Sequence, residues 1–315
     1  MRPEFFVFGV KRSGTTLLSA LLTEHPDVCV VNDSGIYRAF NRSVMPVRQR
    51  ILSKALAKGG RSSRSFARAE ASHLPSGSSR VTLADVDRYF MALMDRYRPR
   101  NSGGWMVPYA ARLDFSPMLA PAREGTLSLQ QMFEMAYWQL VPDDQKGKRL
   151  FGEKTPNHLY LCDWIARNNP DARMVTLVRE PITNVAAIYK RDYAGNLTTA
   201  ISMYLSFYIR QFDMLYEGHG RSLVIRYEDL IRRPEMVLTR VYRHLGVEAI
   251  PVKGDFNYGI RTSYVGGEID TDRDRKLREL LDPRQREMVG RRCRMVYERF
   301  YSDADCDDRQ AAISP

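Results

Sequence analysis

Residues 5–22, with the sequence FFVFGVKRSGTTLLSALL, decide the fold class. The apolar run at residues 5–10 has no helical period, which predicts a buried strand. Residues 17–22 suit a helix that ends before Pro26, and a second short strand is expected at Val28–Val31. A strand, a tight loop, a helix and a strand in this order are typical of the start of a parallel α/β sheet.

The loop between that strand and that helix has the spacing of a phosphate-binding loop. Gly9 and Gly14 are separated by four residues, and backbone N–H groups at a helix N-terminus form a nest for anions. Thr15 stands where a nucleotide kinase has lysine, and the cations come earlier, at Lys11 and Arg12. The loop therefore suits a single 5′-phosphate that carries one further small anionic group, with a capped tight turn as the alternative. The candidate ligand-binding residues of the loop are Lys11, Arg12, Ser13, Gly14, Thr15 and Thr16.

The sheet pattern returns after a different middle region. Residues 41–150 contain apolar residues at helical spacing, which predicts a mostly helical insertion over one edge of the sheet. Further strands are predicted at Met174–Val178 and Leu223–Arg226, and a helix is predicted over Pro234–Leu245. The whole chain is thus expected to form one α/β domain, a P-loop-type parallel sheet flanked by helices.

Two arginines predict a second anion site. Arg179 ends a predicted strand, and open α/β sheets bind ligands at the carboxyl ends of their strands. Arg191 lies on the helix that starts near Pro181, so the two guanidinium groups could converge on one phosphate. Surface ion pairing with Glu180 or Asp192 is the alternative.

Acid and base candidates lie at two further places. Asp33 follows the second strand, where an Asx turn or a helix cap is the alternative role. Lys154 stands between Glu153 and Thr155, and Thr155 with the following proline predicts a helix start with a threonine cap. His158 comes one turn later.

In this order, the motifs resemble those of the sulfotransferases that use 3′-phosphoadenosine 5′-phosphosulfate (PAPS). Residues 12–17, RSGTTL, resemble the family's 5′-phosphosulfate loop. The arginine at position 12 resembles the protein-tyrosine and bacterial branches, since the cytosolic small-molecule branch has lysine there. Arg179 and Arg191 resemble the family's 3′-phosphate motif, although Ala187 stands where that motif has serine. The missing hydroxyl removes about 1 kcal/mol of binding to a charged phosphate.

The resemblance implies the roles of the reacting groups. Asp33 corresponds to a glutamate that is the proposed base of the protein-tyrosine branch, with Glu153 and His158 as alternative bases in this chain. Lys154 and Arg12 would stabilise charge on the sulfuryl group and the bridging oxygen. The sulfuryl group carries less negative charge than a phosphoryl group, so the chemistry does not demand a metal ion.

The resemblance also implies the ligands. PAPS would be the donor, with adenosine 3′,5′-bisphosphate as the product, and Tyr227 would lie near the adenosine. Ser263, in the polar loop 261–267, would cover the nucleotide. The acceptor would be a hydroxyl of a carbohydrate, a lipid-linked compound, a secondary metabolite or a tyrosine, bound by the insertion 41–150.

Charge and cysteine content indicate the kind of partner and the cellular location of the protein. The chain has 315 residues and a net charge of +11, and residues 41–80 hold nine Lys/Arg and a single acid. This basic segment favours an anionic or membrane-associated acceptor, with peripheral contact to the membrane, and no nucleic-acid partner is expected. A solvated basic face without a ligand is the alternative. Four scattered cysteines without a CxxC pair, and no apolar run of signal-peptide or membrane-spanning length, predict a cytoplasmic protein.

Two other functions compete with this interpretation. A P-loop ATP phosphotransferase would need a lysine after Gly14 and a magnesium carboxylate, for which Glu228 and Asp229 are the candidates at a strand end. A non-catalytic protein that binds an anionic polymer would use the basic segment 41–80, which lacks the interleaved aromatic residues of a nucleic-acid surface.

Overall fold

The computed structural model describes residues 1–44, 75–98, 107–190, 195–216, 221–252 and 273–302. Within these ranges, five strands form one parallel sheet in the order β2-β3-β1-β4-β5. The strands are β1 (Phe5–Gly9), β2 (Val28–Asn32), β3 (Leu150–Lys154), β4 (Arg173–Val178) and β5 (Ser222–Arg226).

The helices of the described ranges cover both faces of the sheet. They are α1 (Thr15–Thr23), α2 (Ile36–Val44), α3 (Leu83–Tyr97), α4 (Val107–Arg112), α5 (Ser116–Arg123), α6 (Leu129–Leu140), α7 (Cys162–Asn168), α8 (Pro181–Lys190), α9 (Leu197–Tyr216), α10 (Tyr227–Arg232), α11 (Pro234–Leu245), α12 (Arg273–Arg278), α13 (Pro283–Arg292) and α14 (Arg294–Phe300). None of these helices combines the length and the hydropathy that a membrane span requires.

Successive side chains of β1 point to opposite faces of the sheet, which divides the hydrophobic core into two clusters. Phe5 and Val7 point to one face and pack with helices α1, α10 and α11. Phe6 and Phe8 point to the other face and pack with the larger group of helices, including α2, α3, α6, α8 and α9. All four side chains are fully buried, as expected for a strand inside a parallel sheet with helices on both sides.

The predicted architecture is confirmed. The first strand, the loop, the first helix and the second strand occur where the sequence places them, and so do β4, β5 and α11. Within the insertion 41–150, the described residues form helices α3 to α6, as expected. Residues 45–74, which make up most of the basic segment, lie outside the described residues.

Strand β3 is not predicted by the sequence pattern, yet it lies between β1 and β2. Its sequence, LFGEK, ends in two charged residues that are buried in the structure, which hides the strand from a hydrophobicity pattern. Thr155 occupies the predicted cap position, before a 3-10 turn over Pro156–Leu161, but its side chain makes no cap hydrogen bond. Its hydroxyl donates to Glu153 instead, so the predicted helix start is present as a 3-10 turn but the threonine side chain does not cap it.

Candidate active site

The loop between β1 and α1 has the backbone of an anion nest. Arg12 and Gly14 both have positive φ, of 70° and 98°, and α1 begins at Thr15. Alternation of right-handed and left-handed residues before a helix is typical of loops that bind phosphate. Gly14 is needed for its φ and for space, because a Cβ there would lie 2.3 Å from Cδ2 of Tyr227. The Ser13 side chain is fully buried, and its Oγ has no hydrogen-bond partner among the described residues.

Two side chains, one directly after β4 and one on α8, hold the carbonyl groups of this loop. Arg179 Nη1 donates to the carbonyl oxygen of Arg12 at 2.6 Å. Asn184 Nδ2 donates to the carbonyl oxygen of Lys11 at 2.8 Å. Hydrogen bonds to these carbonyl groups stabilise the loop backbone. Asn184 was not among the predicted residues, because an asparagine inside a helix carries no local signal of such a distant contact.

Arg179 is the centre of the second predicted site. It is only 3% exposed, and its guanidinium group lies 4.2 Å from the ring centroid of Tyr227, within the range of a cation–π contact. Its Nη2 donates to the carboxylate of Asp274 on α12. The structure therefore places Arg179 and Tyr227 beside the loop and adds Asp274, and the roles of Arg179 and Tyr227 in donor binding stay predictions.

Lys154 links the loop to the turn after β2. Its Nζ lies 3.0 Å from Oδ2 of Asp33 and 3.2 Å from Oγ1 of Thr16. Lys154 is 1% exposed and the Asp33 side chain 12% exposed, so the pair lies largely out of solvent. The Asp33 N–H donates to the Lys154 carbonyl, which continues the pairing of β2 with β3. A base candidate, a cation and the phosphate loop thus meet at the carboxyl edge of the sheet.

The Asp33 turn is held by the helical insertion. Asp33 has a φ of 52°, an uncommon conformation for a residue other than glycine. The carbonyl groups of residues 32, 33 and 34 accept hydrogen bonds from Tyr109 Oη at 2.8 Å, Arg96 Nη2 at 2.9 Å and Tyr97 Oη at 2.7 Å. Burial raises the pKa of both Tyr97 and Tyr109, so their phenols stay protonated donors. No sequence motif indicates these three contacts.

The comparisons with known proteins show the family of the chain. Residues 3–251 match the Sulfotransferase family. The chain belongs to this family. It is 24% identical to the nodulation protein NoeE of Sinorhizobium fredii over 267 aligned residues. That match covers 77% of this chain but only 50% of NoeE, so the chain spans about half of the length of this curated relative.

Solved sulfotransferase structures share the fold. The sulfotransferase domain of the Synechococcus olefin synthase has a TM-score of 0.55 and 18% identity, and the match covers 96% of both chains. The sulfotransferase domain from the curacin biosynthetic pathway has a TM-score of 0.51 and 16% identity, with 93% of this chain and 98% of that domain covered. The parallel sheet with its phosphate loop is thus the fold of this family of transferases.

Two of the three base candidates lie in the protein interior. Glu153 and His158 are both fully buried, and His158 Nδ1 lies 2.8 Å from Glu153 Oε2. Successive side chains of a strand point to opposite faces, so Glu153 lies on the face of Phe6 and Lys154 on that of Val7. Of the three candidates, Asp33 is the one whose carboxylate contacts Lys154.

The carboxylates that a magnesium-dependent phosphotransferase would need have other partners. Glu228 accepts hydrogen bonds from the Glu180 N–H and the Tyr301 hydroxyl, both at 2.9 Å. Burial raises the pKa of Glu228. Asp229 accepts two hydrogen bonds from the Arg226 guanidinium group, at 2.6 and 3.1 Å. Among the described residues, no cluster of three or more His, Cys, Asp or Glu side chains is arranged to bind a metal ion.

Two predicted donor-binding residues lie outside the described part of the chain. Arg191 follows α8 by one residue, and Ser263 belongs to the stretch between residue 252 and α12. Both remain predictions.

Proposed function

We propose that this sulfotransferase-family protein transfers a sulfuryl group from PAPS to a hydroxyl group of its acceptor. The observation that carries the proposal is the position of Lys154 Nζ, which lies within hydrogen-bonding distance of both Asp33 and Thr16 of the phosphate loop. A cation between a base and a phosphate loop suits a reaction in which an oxygen loses a proton while another oxygen gains negative charge.

The donor would be bound from its two phosphate ends. The loop residues Lys11 to Thr16 suit the 5′-phosphosulfate, because their backbone already has the form of a nest. Arg179 suits the 3′-phosphate, and Tyr227 beside it offers an aromatic face to the adenosine. Arg191 and Ser263 are proposed as further donor contacts. This donor leaves as adenosine 3′,5′-bisphosphate, and no metal ion is assigned to the reaction.

The reacting groups would act in a single transfer step. Asp33 takes the proton of the acceptor hydroxyl, and the acceptor oxygen forms a bond to sulfur as the bond between sulfur and the 5′-phosphate oxygen breaks. Lys154 and Arg12 stabilise the negative charge that develops on the leaving phosphate oxygen. The sulfuryl group passes directly between the two oxygens, and its charge is unchanged after the transfer.

The acceptor is proposed to bind against the helical insertion. Helices α3 and α4 contribute Arg96, Tyr97 and Tyr109 to the Asp33 turn, so this region adjoins the proposed base. A carbohydrate, lipid-linked or small-molecule hydroxyl is the acceptor class that we assign, with tyrosine as an alternative. The basic residues of the segment 41–80 suit an anionic or membrane-associated acceptor.

Nucleotide binding tests the donor assignment before the acceptor is known. Purified protein is titrated by calorimetry with adenosine 3′,5′-bisphosphate, AMP and ADP with magnesium. We expect the bisphosphate to bind most tightly, because it alone offers both a 5′-phosphate and a 3′-phosphate. Preference for ADP with magnesium would instead identify a phosphotransferase, and absence of binding by all three would favour a protein that binds anionic polymers.

A further inference from the structure

Glu153 precedes Lys154 in β3, and its carboxylate is fully buried. Its Oε1 accepts hydrogen bonds from Ser34 Oγ at 2.6 Å and from Thr155 Oγ1 at 2.5 Å. Its Oε2 lies 2.8 Å from His158 Nδ1. A buried carboxylate is costly unless donors surround it, and these three contacts meet that need.

The two hydroxyl groups belong to the neighbours of the reacting residues. Ser34 directly follows Asp33, and Thr155 directly follows Lys154. Thr155 Oγ1 also accepts the backbone N–H of Gly35 at 3.1 Å, which ties the two segments together a second time. One carboxylate oxygen therefore connects the backbone beside the base with the backbone beside the cation.

We propose that Glu153 is a positioning residue, which fixes the Asp33 carboxylate relative to the Lys154 ammonium group. The proposal rests on the proposed function of those two groups. Glu153 lies on the opposite face of β3 from Lys154, so it acts through Ser34 and Thr155 rather than on the substrates. A carboxylate suits this role because both of its oxygens only accept hydrogen bonds, whereas an amide would present a donor to one of its partners.

Two substitutions separate this role from general stability. Ser34→Ala removes one link and leaves Glu153 bonded to Thr155 and His158. Glu153→Gln keeps an oxygen for the two hydroxyls but places an N–H group against His158 Nδ1, unless that histidine changes its tautomer. We expect each substitution to lower turnover by about 10-fold, up to a limit of about 100-fold, since small misplacements of reacting groups have effects of this size. The affinity for adenosine 3′,5′-bisphosphate should not change.

The turnover test uses water in place of the unidentified acceptor. Release of sulfate from sulfur-35-labelled PAPS is measured for the wild type, Ser34→Ala, Asp33→Asn and the double variant. If Ser34 acts through Asp33, Ser34→Ala lowers the rate in the wild type but has little further effect in the Asp33→Asn background. Equal losses in both backgrounds, or no loss in the wild type, would overturn the positioning role. A normal rate for Asp33→Asn alone would instead refute the proposed base.

A second measurement does not need turnover. The coupling free energy between Asp33 and Lys154 is obtained from a double-mutant cycle, in which the unfolding free energies of Asp33→Asn, Lys154→Met and the double variant are compared with that of the wild type. This coupling should be smaller when the same cycle is measured in the Glu153→Gln background. An unchanged coupling would contradict the proposal. Lys148→Met is the control for a general loss of stability. Lys148 lies just before the start of β3, at the opposite end of that strand from Lys154, and its Nζ donates to the carbonyls of Thr23 at 2.6 Å and of Val28 at 2.9 Å. This variant should lose stability and keep the Asp33–Lys154 coupling.

Discussion

The ion pair between Asp33 and Lys154 offers a test of the site geometry that does not depend on the acceptor. Lys154 Nζ lies 3.0 Å from Asp33 Oδ2, and the side chains are 1% and 12% exposed. At an effective dielectric constant of about 20, two unit charges at this distance attract by about 5.5 kcal/mol. Part of this attraction offsets the loss of hydration. We therefore expect removal of one charge to lower the free energy of unfolding by about 3 kcal/mol.

The perturbation is a double-mutant cycle with Asp33→Asn, Lys154→Met and their combination. Asparagine keeps an oxygen acceptor, and methionine keeps most of the length of the lysine side chain, so the packing changes little. Each single variant leaves a buried charge without its counterion, whereas the double variant leaves neither charge. The double variant should thus be more stable than the sum of the single effects predicts, by about 2 kcal/mol or more.

Urea unfolding, followed by circular dichroism, measures the four free energies. A matched cycle at Asp143 and Lys146 is the control, because that pair has a separation of 2.6 Å but side chains that are 87% and 36% exposed. Its coupling should be close to zero, since a solvated pair contributes little to stability. If the effects at Asp33 and Lys154 were also additive, the two groups would not be paired in solution, and the geometry that supports the transfer step would be refuted.

Four further predictions concern individual residues. Asp274 accepts a hydrogen bond from Arg179, so Asp274→Asn should tighten the binding of adenosine 3′,5′-bisphosphate in calorimetry. Arg179→Lys should weaken that binding by about 10-fold or more and weaken the binding of AMP less, because AMP has no 3′-phosphate and loses only the contribution of Arg179 to the loop; equal losses for both nucleotides would contradict the 3′-phosphate role. Burial raises the pKa of Glu228 above 4.5, so its ionisation lowers folded stability as the pH rises from 4.5 through the higher folded pKa. Glu228→Gln should therefore gain unfolding free energy relative to the wild type between pH 4.5 and pH 8 in urea titrations, and a constant difference would argue against the shift. Burial raises the pKa of Cys29 to about 11 and that of Cys293 to about 12, so mass spectrometry should find neither thiol alkylated by iodoacetamide at pH 8 before unfolding.

The parts of the fold that could be predicted from the sequence are those in which local pattern and burial agree. The strand at residues 5–9 is apolar at nearly every position, and the glycine spacing after it marks a loop before a helix. Strand β3 escapes prediction because its last two residues, Glu153 and Lys154, are charged. They are buried because Ser34, Thr16 and Asp33 provide partners from distant parts of the chain.

The same limit applies to the site. Arg179 could be named as a candidate because it follows an apolar strand, and Lys154 because it comes directly before a threonine–proline helix start. The partners that hold the site, such as Asn184, Arg96 and Asp274, could not be predicted. Their contacts join residues more than 60 positions apart, and only the three-dimensional arrangement of the sheet and its helices brings them together.

The strand order separates the two proposed functions of the site, because the residues for donor binding lie on one side of β1 and the proposed base and cation lie on the other. On one side of β1, Arg179 directly after β4 and Asn184 on α8 hold the phosphate loop. On the other side lie Asp33, directly after β2, and Lys154, at the end of β3, and side chains of the insertion donate to the carbonyl groups of the Asp33 turn. The two hydrogen bonds that hold the loop carbonyls in the donor half come from residues outside the insertion. Substitutions in α3 and α4 should therefore change the choice of acceptor and the rate of transfer while the nucleotide is still bound, because these helices hold the turn of the proposed base.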